Sequence, residues 1–354
     1  ALDGTPTTTP RRARVQPRQA YCYAQAGALG WTGDWRAGVQ LAMSSFEETY
    51  RLEDGYFGDL ASADGELLSA KFDLYNQAFA LLGFASLTQG FPAQAQDGEA
   101  RALALLAALR RDYGHPDGGF YEDQVRSGPL CSNPHMHLLE AALEWEATSS
   151  TNNPIWVELA DELAQLAQAH FVDEGGLFLR EFFDVDWSPH PSDERRVVEP
   201  GHQFEWAWLL ARWARRRNDA TALVTAGHLF ATGETHGMDK HRGLAVMALN
   251  DDFSPRDQLG RLWPQTERLK AALLLAQLAD APQDSAQYTA IALAAANSLM
   301  QFFDVQTPGL WRDKMLEDGS WAEEPAPASS FYHIICALRS LRDFVEASQQ
   351  EAVA

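Results

Sequence analysis

A turn built on glycine and a following aromatic or leucine residue recurs five times along the chain. Its glycines are Gly55, Gly118, Gly175, Gly243 and Gly309, which are separated by 63, 57, 68 and 66 residues. A recurring interval of this length is typical of a repeat architecture, and each glycine turn predicts a short hairpin. The repeat limits the folds that the chain can adopt more than any other feature.

Pairs of Ala- and Leu-rich segments with helical periodicity separate these turns. They predict helices over residues 13–28, 35–50, 74–89, 97–112, 134–148, 156–171, 202–216, 220–231, 265–279, 285–302 and 329–346. The repeating unit is therefore two helices and a short hairpin.

The last predicted helix is strongly apolar, with Ile334, Ile335, Leu338 and Leu341. An open solenoid needs a polar outer face on its terminal repeat, so this helix favours a closed ring. We therefore expect an all-α, single domain over residues 1–354, an (α/α)6 barrel with short β-hairpins between helix pairs. Eleven helices are predicted where twelve close such a ring. The first outer helix is expected to be absent, or another segment takes its place.

The charge of the chain restricts its partners. Its 28 basic and 49 acidic residues give a net charge of -21, which disfavours nucleic acid and anionic membranes. Such a surface suits a protein that handles a neutral small molecule. Cys22, Cys131 and Cys336 form no CxxC pair and indicate a reducing compartment. With no apolar run of membrane-spanning length and no signal peptide, we expect a cytoplasmic protein, and association into a homo-oligomer is left open.

The helices that directly follow a hairpin carry polar residues in their first turns, and the intervening helices do not. In an alternating barrel, these six helix starts would face one end of one cavity. The sequence therefore predicts a single polar pocket with aromatic walls, which suits a sugar ring. Its candidate residues are Arg18, Tyr75, Asn133, His137, His202, Glu205, Trp263, Glu267 and His333.

His202 and Glu205 lie three residues apart, so they share a helical face near a helix start. The partial positive charge of a helix N-terminus disfavours a proton, so we expect a neutral imidazole that can act as a base. Simpler roles are also open. His137 and His202 can bond to backbone, and Asn133 can cap its helix. His135, two residues from His137, is expected to face away from it.

Metal binding and glycoside hydrolysis are weaker interpretations. Two histidines in an HxH pattern, such as His135 and His137, can bind one metal ion more readily from a strand than from a helix. We therefore expect neither a metal nor a cofactor. Paired carboxylates at 251–252 and 323–324 are typical of glycoside hydrolases, but neither pair lies at a helix start of the expected pocket.

Five segments contain most of the candidate residues. They are Arg14-Val15-Gln16-Pro17-Arg18-Gln19, Asn133-Pro134-His135-Met136-His137-Leu138-Leu139-Glu140-Ala141, Glu199-Pro200-Gly201-His202-Gln203-Phe204-Glu205-Trp206, Trp263-Pro264-Gln265-Thr266-Glu267 and Phe331-Tyr332-His333. In this order, and over nearly the whole chain, these segments resemble the N-acylglucosamine 2-epimerase superfamily. That superfamily includes mannose isomerases, related aldose–ketose isomerases and cellobiose 2-epimerases.

The resemblance implies an (α/α)6 barrel and metal-free proton transfer at C2 of an open-chain sugar. It implies that His202 and His333 are the catalytic acid–base pair. Residues that bind or polarise the sugar are then Arg18, Asn133, His137, Glu205 and Glu267, with Tyr75 and Trp263 as pocket wall. The chain departs from the superfamily at 328–330, where Ala-Ser-Ser replaces a pocket Trp.

The Asn-x-His-x-His-x-x-Glu-Ala form is more similar to the isomerase and cellobiose-epimerase branches than to the N-acyl branch. We therefore expect interconversion of an aldose and its ketose through a cis-enediolate, with mannose and fructose as the leading pair. The alternatives are C2 epimerisation of N-acylglucosamine or of a disaccharide, glycoside hydrolysis and a non-catalytic helical scaffold.

Overall fold

The computed structural model of the protein describes residues 2–353, with side chains up to residue 350. Eleven α-helices lie in this range, and each overlaps one of the eleven predicted helices. None of them precedes Val15 within the described residues. By its internal contacts the chain divides into two compact units. The N-terminal unit comprises Thr7–His170 and Phe182–Pro191, and the C-terminal unit comprises Ala1–Pro6, Phe171–Glu181 and Ser192–Ala354. The expectation of a single domain over 1–354 stays a prediction.

The N-terminal unit is built from six helices in three successive pairs. They are α1 (Val15–Ala28), α2 (Trp35–Tyr50), α3 (Leu74–Gly90), α4 (Ala95–Tyr113), α5 (Ser132–Thr148) and α6 (Pro154–Leu166). Helix α3 packs on α1, α4 and α5, and α5 packs on α6. Almost every side chain of α3 and α5 is buried, whereas α2, α4 and α6 each bury one stripe. That contrast identifies α3 and α5 as inner helices and α2, α4 and α6 as outer ones.

The C-terminal unit repeats this arrangement with five helices. They are α7 (Pro200–Arg217), α8 (Ala220–His236), α9 (Leu262–Leu278), α10 (Pro282–Met300) and α11 (Ser330–Val353). Helix α9 packs on α7, α10 and α11, and it is buried from Leu262 to Ala276. In α11, Ile334 and Ile335 are buried, but Leu338 is 47% and Leu341 36% exposed. The face of α11 that carries Leu338 and Leu341 is therefore partly solvent-accessible.

Short antiparallel strands connect the helix pairs. The N-terminal unit has β1 (Arg11–Arg12), β2 (Leu60–Ala61), β3 (Leu67–Ser69), β4 (Leu130–Cys131) and β5 (Phe182–Phe183). They form a three-stranded sheet in the order β1-β2-β3 and the pair β4-β5. In the C-terminal unit, β6 (Val197–Val198), β7 (Met238–Asp239), β8 (Leu244–Asn250), β9 (Pro255–Arg261) and β10 (Lys314–Met315) form one sheet, in the order β10-β9-β8-β6 with β7 paired to β8.

The hairpin of β8 and β9 is longer than the short hairpins that the sequence analysis predicted. Each strand has seven residues. Leu244–Asn250 is a nearly continuous apolar run that ends in an Asp-rich turn, which is the pattern of a buried strand. The sequence therefore contained the signal for this hairpin.

At the start of three helices, a glutamine side-chain amide forms hydrogen bonds with the backbone of the preceding hairpin. The fourth residue of α3, α7 and α9 is Gln77, Gln203 and Gln265. The amide of Gln203 accepts from Leu179 N at 2.8 Å and donates to Leu179 O at 2.9 Å. Gln265 does the same with Ala245, and Gln77 with Phe57. These bonds satisfy buried backbone groups and fix the direction of the first helical turn, which carries the candidate site residues.

Candidate active site

His202 lies in the first turn of α7 with two carboxylates at its Nδ1. The Glu181 Oε2 atom is 2.9 Å from Nδ1, and the Glu199 Oε2 atom is 3.6 Å away. Burial by itself lowers the pKa of the imidazole, but the charges of Glu181 and Glu199 outweigh it and raise the pKa of His202 to about 10. The expectation of a neutral imidazole at this helix start was therefore wrong. His202 is a cation at neutral pH.

His333 lies near the start of α11 in a different electrostatic environment. Its Nδ1 is 2.8 Å from Oε1 of Glu267, and Oε2 of Glu267 is 2.5 Å from Nζ of Lys270. Burial raises the pKa of Glu267, but Lys270 and His333 outweigh this effect and hold it well below its usual value. Glu267 is therefore ionised and shared between a lysine and a histidine. By contrast, two carboxylates surround His202.

The indole of Trp263 contacts both histidines. Ring centroids are 5.1 Å apart for Trp263 and His202, and 5.8 Å apart for Trp263 and His333. This position depends on Gly201, because a Cβ atom there would lie 2.4 Å from the Trp263 ring. Glycine in the Pro200-Gly201-His202 segment therefore allows the indole to approach the backbone of α7.

The substitution Gly201→Ala is expected to displace Trp263 and to lower thermal stability by several degrees. Thermal unfolding followed by circular dichroism and intrinsic fluorescence would measure both effects. Gly227→Ala on α8 is the matched control, since a Cβ at Gly227 meets only the Tyr288 hydroxyl, at 3.9 Å. Equal losses in the two variants would contradict the close packing of Trp263 on Gly201.

Glu205 lies close to Glu267 and His333. One oxygen of Glu205, one of Glu267 and a ring nitrogen of His333 lie within 4.8 Å of one another, and all three residues are buried. Such a set has the donor types of a metal site. However, the ammonium of Lys270 already neutralises Glu267 there, and we do not identify these residues as metal ligands. Glu205 also contributes to the raised pKa of His202, after Glu181 and Glu199.

In the N-terminal unit the structure brings together Arg18, Tyr75 and His137. Nη2 of Arg18 donates to the Tyr75 hydroxyl at 2.5 Å, and its guanidinium lies 4.1 Å from the centroid of Phe79. The edge of His137 meets the Tyr75 ring, with centroids 4.8 Å apart, and Nδ1 of His137 is 3.2 Å from Glu140. Arg18 is 4% exposed, so an ion pair on the surface is not its role.

Asn133 and His135 have distinct roles on α5. The Asn133 Oδ1 atom is buried and has no hydrogen-bond partner among the described residues. Asn133 lies inside the first helical turn and is not the N-cap residue, so the capping interpretation was wrong. His135 is fully buried, with Nε2 accepting from Phe120 N at 2.9 Å and Nδ1 2.8 Å from Cys131 O. His135 therefore fastens a hairpin, as glutamine does in α3, α7 and α9, and the prediction that it faces away from His137 is consistent with these contacts.

Sequence reasoning missed Glu181, Glu199 and Lys270. Glu181 is 21 residues from His202 along the chain and follows a hairpin, so no spacing rule connects the two. Lys270 did carry a signal, because a lysine three residues after Glu267 shares its helical face.

The carboxylate pairs that suggested glycoside hydrolysis are engaged elsewhere. Asp251 accepts from Arg180 and Arg196 at 2.9 Å, and these arginines contribute to a lowered pKa. Glu324 pairs with Lys314 at 2.9 Å. A general acid for hydrolysis needs a raised pKa, which Asp251 lacks.

Glu122 in the N-terminal unit is a titrating group outside the predicted set. Its Oε1 accepts from Cys131 N at 3.1 Å, while burial and then Asp73 raise its pKa from 4.5 to about 8. The native state therefore holds this proton more tightly than the unfolded chain, which costs stability as pH rises from 4.5 through 8. Glu122→Gln should raise the melting temperature at pH 8.5 and leave it nearly unchanged at pH 4. Calorimetry at both pH values tests this, and an equal shift at both would contradict it.

The helix pairs and the buried acid–base groups indicate the class of protein: a helical-repeat enzyme with two histidines at its candidate site. Comparison with known proteins agrees. The sequence pattern of the N-acylglucosamine 2-epimerase (GlcNAc 2-epimerase) family matches residues 1–337. The chain is 50% identical over 342 residues to a mannose-6-phosphate isomerase of Rhizobium meliloti (strain 1021), covering 97% of this chain and 88% of that protein. The chain belongs to the N-acylglucosamine 2-epimerase family and is an enzyme of the isomerase class.

Solved structures agree on the fold. A D-mannose isomerase superposes with a TM-score of 0.84 at 20% identity, covering 97% of this chain and 90% of the other. Cellobiose 2-epimerase from Bacillus thermoamylovorans B4167 superposes with a TM-score of 0.82 at 15% identity, covering 96% and 90%. These neighbours confirm the prediction of an all-α (α/α)6-barrel fold with small sheets. No helix in the described part of the chain has the length and apolarity needed to cross a membrane.

Proposed function

We propose that the protein is an aldose–ketose isomerase that moves a proton between C2 and C1 of an open-chain sugar, with mannose and fructose as the leading pair. The observation that carries the proposal is the pair His202 and His333. Both are buried, both contact Trp263, and a carboxylate holds Nδ1 of each. Their charge environments differ, and two titratable groups with opposed environments are the usual basis of an acid–base assignment.

In this proposal His333 is the general base. Ionised Glu267 accepts from Nδ1–H of His333, which leaves the lone pair of the imidazole on Nε2. Nε2 removes the proton from C2, which gives a cis-enediolate, and returns it to C1 on the same face. For the carbonyl group to move from C1 to C2, O1 gains a proton and O2 loses one, and protonated His202 can donate the first and recover the second. In an epimerase a second group would instead reprotonate C2 from the opposite face.

His202 supplies positive charge to the same reaction. Because Glu181 and Glu199 keep it protonated, its N–H can donate to the oxygen on which negative charge develops. We propose a metal-free mechanism on this basis, and activity should survive dialysis against EDTA.

Glu205 and Glu267 are proposed to bind the sugar or orient His333, with Trp263 as pocket wall. In the N-terminal unit, Arg18, Tyr75, Asn133 and His137 are proposed to bind sugar, and the unbonded Oδ1 of Asn133 supports this role.

A product assay tests the proposal. The protein is incubated separately with mannose, glucose, N-acetylglucosamine and cellobiose, and the products are separated by chromatography. Fructose from mannose is expected. Glucose from mannose without fructose would favour a 2-epimerase, and an inactive protein whose melting temperature no sugar raises would favour a scaffold.

A sugar phosphate is a second candidate substrate, because the relative with 50% identity is described as acting on mannose 6-phosphate. Arg14 is the N-cap residue of α1 and lies four residues before Arg18, and their guanidinium carbons are 4.5 and 5.6 Å from the Tyr75 centroid. Arg14 Nε is buried without a hydrogen-bond partner in the described residues, and Asp73 is 3.6 Å from its Nη2. Two neighbouring guanidinium groups suit an anionic substituent.

The variant Arg14→Gln distinguishes the two substrates. If a phosphate binds there, KM for mannose 6-phosphate should rise about tenfold or more while KM for mannose changes little. Steady-state kinetics on both sugars measure this. Arg36→Gln on α2, where the guanidinium lies over Trp35, is the matched control. A parallel change for both sugars would argue against phosphate recognition by Arg14.

A further inference from the structure

We propose that Lys270 is a positioning residue, which keeps Glu267 ionised so that His333 holds its proton on Nδ1 and presents a basic Nε2. The inference rests on the proposed role of His333 as the base. Lys270 is a buried cation that was not among the predicted site residues, and the inference gives it a role.

The geometry of Lys270 links it to the base through one carboxylate. Lys270 and Glu267 are both 0% exposed, and the two oxygens of Glu267 lie 2.5 Å from Lys270 Nζ and 2.8 Å from His333 Nδ1. The ammonium also lies 3.9 Å from the centroid of Trp208 on α7. A cation that stacks on an aromatic ring and pairs with a buried carboxylate is held in one place, so its charge acts on Glu267 constantly.

Other charged groups of the C-terminal unit face this cluster and do not replace Lys270. Helix α7 contributes Glu205, which is negative when ionised, and Arg212, whose guanidinium lies 4.4 Å from the Trp208 centroid. His202 contacts Trp263, as His333 does. On α11 the neighbour of His333 is the Tyr332 ring. Lys270 is the cation that forms an ion pair with Glu267 among the described residues, apart from His333 itself.

Proton counting shows why this cation matters. With Lys270 charged, Glu267 ionised and His333 neutral, these three residues have zero net charge, and Glu205 adds a negative charge to the cluster when it is ionised. If the lysine charge is removed, the buried pair has a charge of minus one and takes up a proton at neutral pH. On His333 that proton gives a cation. If the added proton resides on Glu267, the carboxyl group donates it to Nδ1 of His333, and the proton of the neutral imidazole then lies on Nε2. Either location removes the basic Nε2.

Kinetics of Lys270→Met test the inference. We expect kcat at pH 7 to fall at least about tenfold, with KM within about threefold of the original value. The acid limb of the kcat profile should move up by about one pH unit or more, so activity recovers partly at alkaline pH. Lys270→Arg should restore the original limb, and Lys240→Met at an exposed position is the control. A folded Lys270→Met variant with an unmoved acid limb would overturn the proposal.

Nitrogen NMR of the labelled histidines separates this inference from the proposed function, because it needs no substrate. His333 is assigned by comparison with His333→Gln. In the original protein at pH 7, we expect a neutral ring with the proton on Nδ1. In Lys270→Met, or in Lys270→Gln if the first variant does not fold, we expect a cation or the Nε2–H form. A cation or the Nε2–H form in the original protein would overturn the proposal, whichever sugar the enzyme uses.

Discussion

Replacing His333 with glutamine is expected to lower kcat for the isomerisation by about 10²- to 10⁴-fold, the usual contribution of a general base. Glutamine can donate to Glu267 as His333 Nδ1 does, so the hydrogen bond is retained while the basic nitrogen is lost. KM should change little, because the base acts mainly in the transition state. Steady-state kinetics over a range of mannose concentrations measure both constants.

The control for this variant is His228→Gln on the exposed face of α8. It should keep the original kcat and melting temperature. If His333→Gln is folded and retains more than about a tenth of the original kcat, His333 is not the base.

The second large effect is expected for Glu181→Gln. Loss of the carboxylate at 2.9 Å should lower the pKa of His202 from about 10 by about one to three units. The alkaline limb of the kcat profile, where His202 loses its proton, should move towards neutral pH by the same amount. Glu174→Gln, an exposed position in the same hairpin, is the matched control. Equal alkaline limbs in the original protein and in Glu181→Gln would contradict the role of His202 as a cation.

The same pair predicts a change in stability with pH. The pKa of His202 is raised from 6.5 to about 10 on folding, so its contribution is complete below pH 6.5 and is lost as pH rises through 10. Denaturant unfolding of the original protein should show a falling free energy over this interval, and Glu181→Gln should show a shallower fall. A parallel pH dependence in the two proteins would contradict the coupling of Glu181 to His202.

Most of the fold could be predicted from the sequence, because its signals are local. Ala- and Leu-rich periodicity and recurring glycine turns located the eleven helices that lie within the described residues. Helix geometry correctly assigned His135 and His137 to different faces. The length of the β8–β9 hairpin was not predicted, because the apolar run of Leu244–Asn250 was not considered as a strand.

The sequence predicted a set of candidate site residues, but it did not reveal Glu181, Glu199 and Lys270 or the charge of His202. A helix N-terminus disfavours a protonated histidine by about 0.3–1 kcal/mol. A neighbouring carboxylate shifts a pKa by about one to three units, which corresponds to about 1.4–4 kcal/mol. Glu181 therefore decides the charge of His202, and it comes from a hairpin distant in sequence. The partners of Glu267 could be inferred only in part, because Lys270 is one turn away but His333 is 66 residues away.

Proton NMR of mannose incubated with the protein in D₂O tests the central claim most directly. If His333 moves a proton from C2 to C1 through an enediolate, fructose should form and carry solvent deuterium at C1. Fructose should not form with His333→Gln under the same conditions. Glucose labelled at C2 without fructose, or mannose left unchanged and unlabelled by a folded protein, would contradict the account.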